Sequence, residues 1–479
     1  MSGLDVVVRY RKGYTYGHHT ILAALEVEPP PVPHDVHLCR SWEDVVTRIE
    51  AGVEVGRRVL VAWSFYSPDA AAMAAELAAV RAALCERGHG PDVAGGPAPA
   101  DPHERPEDLR VLHVAGGVHA TAEPLVTLRA GWDAVAVGEG EHTFTALCAA
   151  LASGQDWRRV PGTTHLGAGA DLLAGDHPGH GRLVKAGPAV RRDLDAYPAF
   201  PVTRNLTNPI EITRGCVYAC KFCQTPFMFS ARFRHRSVAS VREAVRVMRG
   251  RGLRDVRFIT PTSLSYGTQG GDPDLDAVEE LLAVTKEEIG PTGRVFFGSF
   301  PSELRPEHVS AEALRMIARY AHNRDVIIGA QSGSEDVLAG SGRGHGAAIV
   351  EDAVRLAVQE GFRPNVDLIF GMPGEGPEEA LATVAMMKRL TALGARMHAH
   401  TFMPLPGTPW RNEPAGVIAP EARRELAAMT TSGRVYGSWE KQEGIAAEMA
   451  AVRATDPGYR AGRPRRLREA AGDAVGGGD

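Results

Sequence analysis

One feature constrains this chain more than any other. Short apolar runs bounded by turn residues alternate with helix-period stretches, and the alternation occurs twice. In the first array the candidate strands are Leu4–Tyr10, Asp35–Cys39, Arg58–Ser64, Arg110–Ala115 and Asp133–Val137. The candidate helices between and after them are Thr20–Val27, Ser41–Ile49, Pro68–Glu86, Thr121–Arg129 and His142–Leu151. Ser41 with Asp44 gives a helix start, and Gly88 a stop. Strands that alternate with helices imply parallel βαβ units, hence an α/β fold with an open, doubly wound sheet. Five strands favour a flavodoxin-like order. In such sheets ligands sit over the carboxyl ends of the strands. Two of those ends are glycine-rich, Gly116-Gly117-Val118-His119 and Gly138-Glu139-Gly140-Glu141. Glycine lets backbone approach a ligand closely, although a tight turn uses the same residues. Neither run matches Gly-x-Gly-x-x-Gly, which sets nicotinamide and flavin cofactors aside.

The second array begins after Pro209, with strands expected at Ile210–Arg214, Val256–Thr260, Val295–Phe300, Val326–Ala330, Val366–Phe370 and Met397–Phe402. Helices are expected at Val238–Arg249, Leu275–Glu288, Ala311–Tyr320, Ala347–Glu360 and Glu378–Leu393. Six βα repeats are too few for a closed eight-fold barrel, so a six-fold partial barrel is expected. Between the arrays periodicity fades and Gly, Asp, His and Pro rise, as in a linker with a short hairpin near Leu183–Ala186. The domains are therefore expected at 1–155, a linker at 156–201, the barrel at 202–410, a helical extension at 411–459 and a disordered tail at 460–479.

Composition excludes several classes. Hydrophobic residues at 44% and charged residues at 23% rule out a wholly disordered chain. A net charge of −5 and 6% aromatic residues speak against a nucleic-acid partner. The short basic run Arg232, Arg234, His235 and Arg236 reads as solvated surface. No apolar run reaches the ~18 residues of a membrane span. The first residues read as a strand rather than a signal peptide, so a cytoplasmic location is expected.

Of six cysteines, Cys39, Cys85 and Cys148 are scattered, while Cys216, Cys220 and Cys223 fall in the loop after the first strand of the second array. Three soft thiolates so close can wrap one metal centre. A structural zinc site would want a fourth ligand, and His235 is the nearest histidine. A 4Fe–4S cube on three thiolates would leave one iron open. Spacing alone leaves both readings standing.

The run Arg214-Gly215-Cys216-Val217-Tyr218-Ala219-Cys220-Lys221-Phe222-Cys223 resembles the signature of the radical S-adenosylmethionine (SAM) superfamily. The glycine-rich strand ends of the first array resemble the cobalamin-binding domain that precedes many such proteins. The stretches Gly361–Glu375 and Pro404–Pro409 are also similar to that combined family. The resemblance implies that the triplet holds a 4Fe–4S cluster whose open iron chelates SAM. It implies one-electron SAM cleavage to a 5′-deoxyadenosyl radical, with Phe222 near the adenine. Many relatives bind the methionyl amine with Gly-Gly-Glu after the second strand; here that place reads Thr260-Pro261-Thr262-Ser263. Ser299, Glu303, Gln331, Ser332 and Asp367, at strand ends, are expected cofactor contacts. Gly116, Gly117, His119, Glu139, Gly140 and Glu141 are expected around cobalamin. No catalytic residue is assigned.

With both cofactors the implied activity is methyl transfer to an unactivated carbon of a small-molecule or peptide substrate, fed by a flavodoxin or ferredoxin. The alternatives are a cobalamin-assisted cyclase or rearrangement enzyme, and a non-catalytic cobalamin or iron–sulfur sensor. A methylthiotransferase would want a second cysteine triplet in the first array, which is absent. Cobalamin is expected to take no histidine from the chain on its lower face. The loop Arg11–His19 lacks Asp-x-His-x-x-Gly, and Asp35-Val36-His37 is an imperfect match on a strand. His18 and His19 are the residues that could overturn this.

Overall fold

The computed structural model describes residues 3–94, 109–167 and 182–455. The tail expected at 460–479 lies outside them. The first sheet contains β1 (Leu4–Arg9), β2 (His34–Cys39), β3 (Arg58–Ser64), β4 (Val111–Gly116), β5 (Ala134–Ala136), β6 (Thr163–Gly167) and β7 (Arg182–Lys185). Its order is β2-β1-β3-β4-β5-β6-β7. Strands β1 to β5 run parallel in flavodoxin-like order. Every residue of β1 is buried, because helices cover both faces and no side of the strand meets water. Separate apolar clusters lie on the two faces, one around Trp63, Phe65 and Trp132, the other around Leu22, Phe144 and Leu147.

Three local readings are corrected. The helix expected at Thr121–Arg129 is two helices, Gly117–Ala122 and Pro124–Arg129, because a residue before proline is pushed out of the helical region and Glu123 sits at φ −128°. The helix expected from Thr20 starts at Thr15, one turn earlier than its weak apolar pattern shows. Part of the stretch expected as a linker joins the first sheet. There β6 pairs antiparallel with β5, and β7 with β6, so the sheet has seven strands among the described residues.

The second unit is built on β8 (Ile210–Glu211), β9 (Thr213–Arg214), β10 (Arg234–His235), β11 (Asp255–Ile259), β12 (Arg294–Phe296), β13 (Asp325–Gln331), β14 (Arg363–Phe370), β15 (Arg396–Thr401) and β16 (Val435–Tyr436). β8, β11 and β12 are parallel neighbours, as are β13 to β16. The two groups are joined by backbone bonds from Ile327 N to Gly298 O (2.8 Å) and from Leu304 N to Ile327 O (2.7 Å). The result is the partial barrel. Regular pairing of the third strand stops at Phe296, short of the expected Phe300, because Gly298 turns the chain at φ +66°. The covering helices Val238–Gly250, Leu275–Ile289 and Ala311–Tyr320 begin at the side-chain caps Ser237, Asp274 and Ser310. Their apolar faces form one cluster with the outward faces of the strands. The region expected as a helical extension supplies β16 as well as the helices Pro420–Thr431 and Trp439–Thr455.

Candidate active site

The carboxyl ends of the first sheet and the interior of the partial barrel open into one cavity of about 660 Å³. From the first sheet come Ser64–Tyr66 after β3, Gly116–Val118 after β4 and Gly138–Glu141 after β5. From the barrel come Cys216, Cys220 and Cys223, with Phe222, Glu303, Gln331 and Asp367. Three expected residues lie off the lining. His119 is buried, its Nδ1 2.9 Å from Ser67 Oγ, with its ring against Phe65. Ser332 is buried in a turn, its hydroxyl 3.2 Å from Thr383 Oγ1. Ser299 shapes its own turn by accepting from Ser302 Oγ at its carbonyl (3.1 Å).

The cysteine loop is held by backbone. Cys216 N donates to Ser230 O (3.1 Å), and Cys223 N to Cys220 O (3.0 Å). Gly215 turns at φ +82°, and a Cβ there would lie 2.0 Å from Arg232 O, so only glycine fits before Cys216. Ala219 also sits in the left-handed region, at φ +53°. Burial raises the Cys216 thiol to about 12, a cost removed when a thiolate binds metal. Three thiols on one cavity wall fit a three-thiolate cluster with an open iron. On the opposite wall Gly117 turns at φ +85°, where a Cβ would meet Ser64 Oγ at 2.7 Å, and Gly116 has nothing within 4 Å. That bare backbone gives a large planar ligand room to approach.

Glu139 and Glu141 line the cavity, yet their carboxylates face Arg214 at 2.8 Å each. Arg214 also forks onto Glu211 through Nε (3.0 Å) and Nη2 (2.7 Å), and Arg234 pairs with Glu139. This buried cluster ties the loop after β5 to the strand that delivers the triplet. The sequence reading missed Arg214 in this role, because Glu139 and Glu141, unlike Glu211, lie more than 70 positions away. It also missed Arg343, whose Nη1 is 3.8 Å from Cys220 Sγ.

In the second-strand loop, Thr260 Oγ1 donates to Thr262 O (2.9 Å) and Ser263 N to Glu303 O (2.8 Å), and Thr260–Thr262 line the cavity. Burial raises the Glu303 carboxyl, and Arg343 opposes that. Asp367 on β14 and His398 and His400 on β15 bring three ligand atoms within 4.8 Å of one another, and of these residues only Asp367 lines the cavity. The proton of His400 is fixed from outside. Thr401 N–H holds Gln442 Oε1 (3.0 Å), so Gln442 Nε2 donates to His400 Nδ1 (3.1 Å). That puts the His400 proton on Nε2, facing His398 Nδ1 at 3.2 Å, and leaves His400 no lone pair for a cation. His398 Nδ1 also faces Asp367 Oδ1 at 3.0 Å.

Among the histidines, His19 is committed to Tyr10 and Asn208 at 2.9 Å each, and His37 faces Asp5 from mid-strand. His18 is fully buried at the cavity wall, and burial lowers it to about 3.

Comparison with known proteins bears on this geometry. Residues 210–387, from β8 through most of the helix after β14, match the Radical SAM superfamily. This stretch is a radical SAM domain. The matched domain implies a 4Fe–4S cluster and SAM, and the triplet Cys216, Cys220 and Cys223 lies within it. A tRNA-2-methylthio-N(6)-dimethylallyladenosine synthase of Pelobacter propionicus is 28% identical over 45% of this chain and 47% of its own. An uncharacterized methyltransferase of Pyrococcus horikoshii is 26% identical over 62% of each chain. The chain thus spans about half to three-fifths of the length of these curated relatives. Among solved structures, the radical SAM methyltransferase TsrM of Kitasatospora setae, with cobalamin and a [4Fe-4S] cluster bound, superposes with a TM-score of 0.59 at 18% identity. That likeness covers 86% of this chain and 74% of TsrM. The cobalamin-dependent radical SAM enzyme OxsB gives a TM-score of 0.57 at 14% identity, over 81% and 52% of the chains. Both likenesses show the fold: a flavodoxin-like domain stacked on a partial barrel. No helix among the described residues is long and apolar enough to cross a membrane.

Proposed function

We propose that this radical SAM protein is a cobalamin-dependent methyltransferase acting on a carbon of a small-molecule or peptide substrate. The observation that carries this reading is the single cavity shared by the glycine-rich ends of the first sheet and the cysteine triplet. Cys216, Cys220 and Cys223 would hold the 4Fe–4S cluster, Phe222 and Gln331 would contact SAM, and Gly116, Gly117 and Gly140 would face cobalamin; all line the cavity. When bound, these groups supply one-electron SAM cleavage and a carried methyl group. The chain's own part is to stack the two domains so that both cofactors face one substrate, and to close the space with apolar walls from Trp63, Phe65 and Phe229. The two cobalamin-binding neighbours in fold support the first-sheet assignment. A flavodoxin or ferredoxin would deliver the electron.

Methylthio transfer, the activity named for several sequence relatives, is the second reading. The first domain does not favour it. Cys39 ends β2, Cys85 is exposed on the helix Ala70–Glu86, and Cys148 is buried in the helix Glu141–Ser153, so they cannot share a second cluster. Anaerobic reconstitution with iron, sulfide and cobalamin, followed by incubation with SAM and a reductant, tests the proposal. Expected are about four irons per chain, cobalamin retained through gel filtration and formation of 5′-deoxyadenosine. Label from the SAM methyl group should pass to the bound cobalamin. Stoichiometric zinc, or no cobalamin retained, overturns it. Electron paramagnetic resonance of the reduced cobalamin should show no axial nitrogen from the chain; splitting lost in His18→Ala would show the lower face misread.

A further inference from the structure

We propose that Arg343 raises the reduction potential of the cluster by aiming the free arm of its guanidinium at Cys220 Sγ. This rests on the reading of the triplet as a 4Fe–4S site. Arg343 is 4% exposed, in a turn between Gly342 and Gly344, both at positive φ, just past the helix Glu335–Ser341. Its other donors are taken. Nε donates to His345 Nε2 (3.0 Å), and Nη2 to Gly329 O (2.6 Å) with Glu303 Oε1 at 3.4 Å. His345 accepts there because its own proton sits on Nδ1, facing Gly346 O at 3.3 Å. The backbone carbonyl of Arg343 is held by Arg305 Nη2. A guanidinium fixed at three points cannot swing away, and its Nη1 faces Cys220 Sγ at 3.8 Å.

The same helix end is fastened to the cysteine loop. Lys221 N donates to Ser341 O (2.9 Å), and Lys221 Nζ to Gly340 O (2.7 Å). The turn that carries Arg343 is thus tied directly to the cysteine loop next to Cys220. Reduction puts negative charge onto the cluster sulfurs. A buried cation donating to one of them stabilises the reduced form more than the oxidised form, and the potential rises. Cys220 is buried, so water screens this interaction little. Arg343 is a positioning residue here, acting through the ligand sulfur.

The test is a potentiometric titration of the anaerobically reconstituted full chain, without SAM, read by electron paramagnetic resonance of the reduced cluster. Wild type, Arg343→Gln and Arg343→Lys are compared, with iron content measured on each. In Arg343→Gln the ratio of reduced to oxidised cluster at a fixed poise should fall about tenfold, about 59 mV for a one-electron couple. Arg343→Lys keeps the charge and loses the fork, so its shift should have the same sign and be smaller. A midpoint in Arg343→Gln equal to wild type, with iron retained, overturns the inference. If Arg343→Gln loads no cluster, Arg343→Lys decides, and an unchanged midpoint there overturns it equally. A wild type that loads no cluster at all refutes the reading of the site instead.

Discussion

Gly215 and Arg214 stand side by side ahead of the first cysteine, and different physics fixes each. Gly215 is set by backbone: its positive φ and the Arg232 carbonyl leave no room for a methyl group. Gly215→Ala should displace the cysteine loop at a cost of about 1–3 kcal/mol, and iron analysis after reconstitution should show less than half the wild-type loading. Arg214 is set by charge. Removing it leaves Glu211, Glu139 and Glu141 facing one another in a buried space. Arg214→Ala should cost about 3–5 kcal/mol, read as a lower midpoint in denaturant unfolding; a change under 1 kcal/mol would mean the cluster is not a fastening. For the thiols the expectation is selective. Cys216→Ala, Cys220→Ala and Cys223→Ala each abolish the cluster, whereas Cys39→Ala, Cys85→Ala and Cys148→Ala retain it, since only the triplet lines the cavity.

At the scale of elements, the turn after β14 carries a titrating group. Glu375 Oε1 accepts from Gly371 N (2.6 Å), which holds the turn, while Oε2 is buried without a partner among the described residues. Burial, and to a smaller degree Glu379, raises this carboxyl from 4.5 to about 7, against the opposing bond from Gly371. The folded chain therefore binds more protons than the unfolded chain between those values, and stability contributed by the protonated form is lost as pH rises through about 7. Glu375→Gln keeps the acceptor and removes the titration. Its unfolding free energy should fall less steeply between pH 5 and 7 than that of the wild type, measured by urea titration at several pH values. Equal slopes would show that Glu375 titrates normally.

At the scale of the whole molecule, the two units are joined by buried polar contacts as well as by the shared cavity. Arg411, just past the barrel, pairs with Glu123 of the first domain at 2.6 Å, both at most 3% exposed, and Asn208 Oδ1 lies 2.9 Å from His19 Nδ1. Removing one partner of such a pair leaves the other charge buried and uncompensated, so the pair couples the stability of one domain to that of the other. Calorimetry of the full chain should show a single cooperative transition. In Arg411→Met, Glu123 loses this partner, and the transition should broaden or split. Two resolved transitions in the wild type would show the domains to be energetically independent.

Which parts were legible follows from the range of the interactions. Local periodicity determined the strands and helices of both arrays, because apolar spacing reports which face of an element is buried, and Arg58–Ser64 and Ala311–Tyr320 appear as the sequence read them. The cysteine spacing likewise determined the candidate cluster loop, since all three thiols lie within one turn-rich segment. Pairing of β6 and β7 onto the first sheet was not legible, because edge strands are short and their partners are distant in sequence. Nor were the assignments of Glu139 and Glu141 to Arg214, or of Arg343 to Cys220. A carboxylate at a strand end reads the same whether it meets a ligand or an arginine 75 residues away, and the sequence held no register between the two domains. Only the tertiary structure decided that, by closing the barrel mouth with the first sheet.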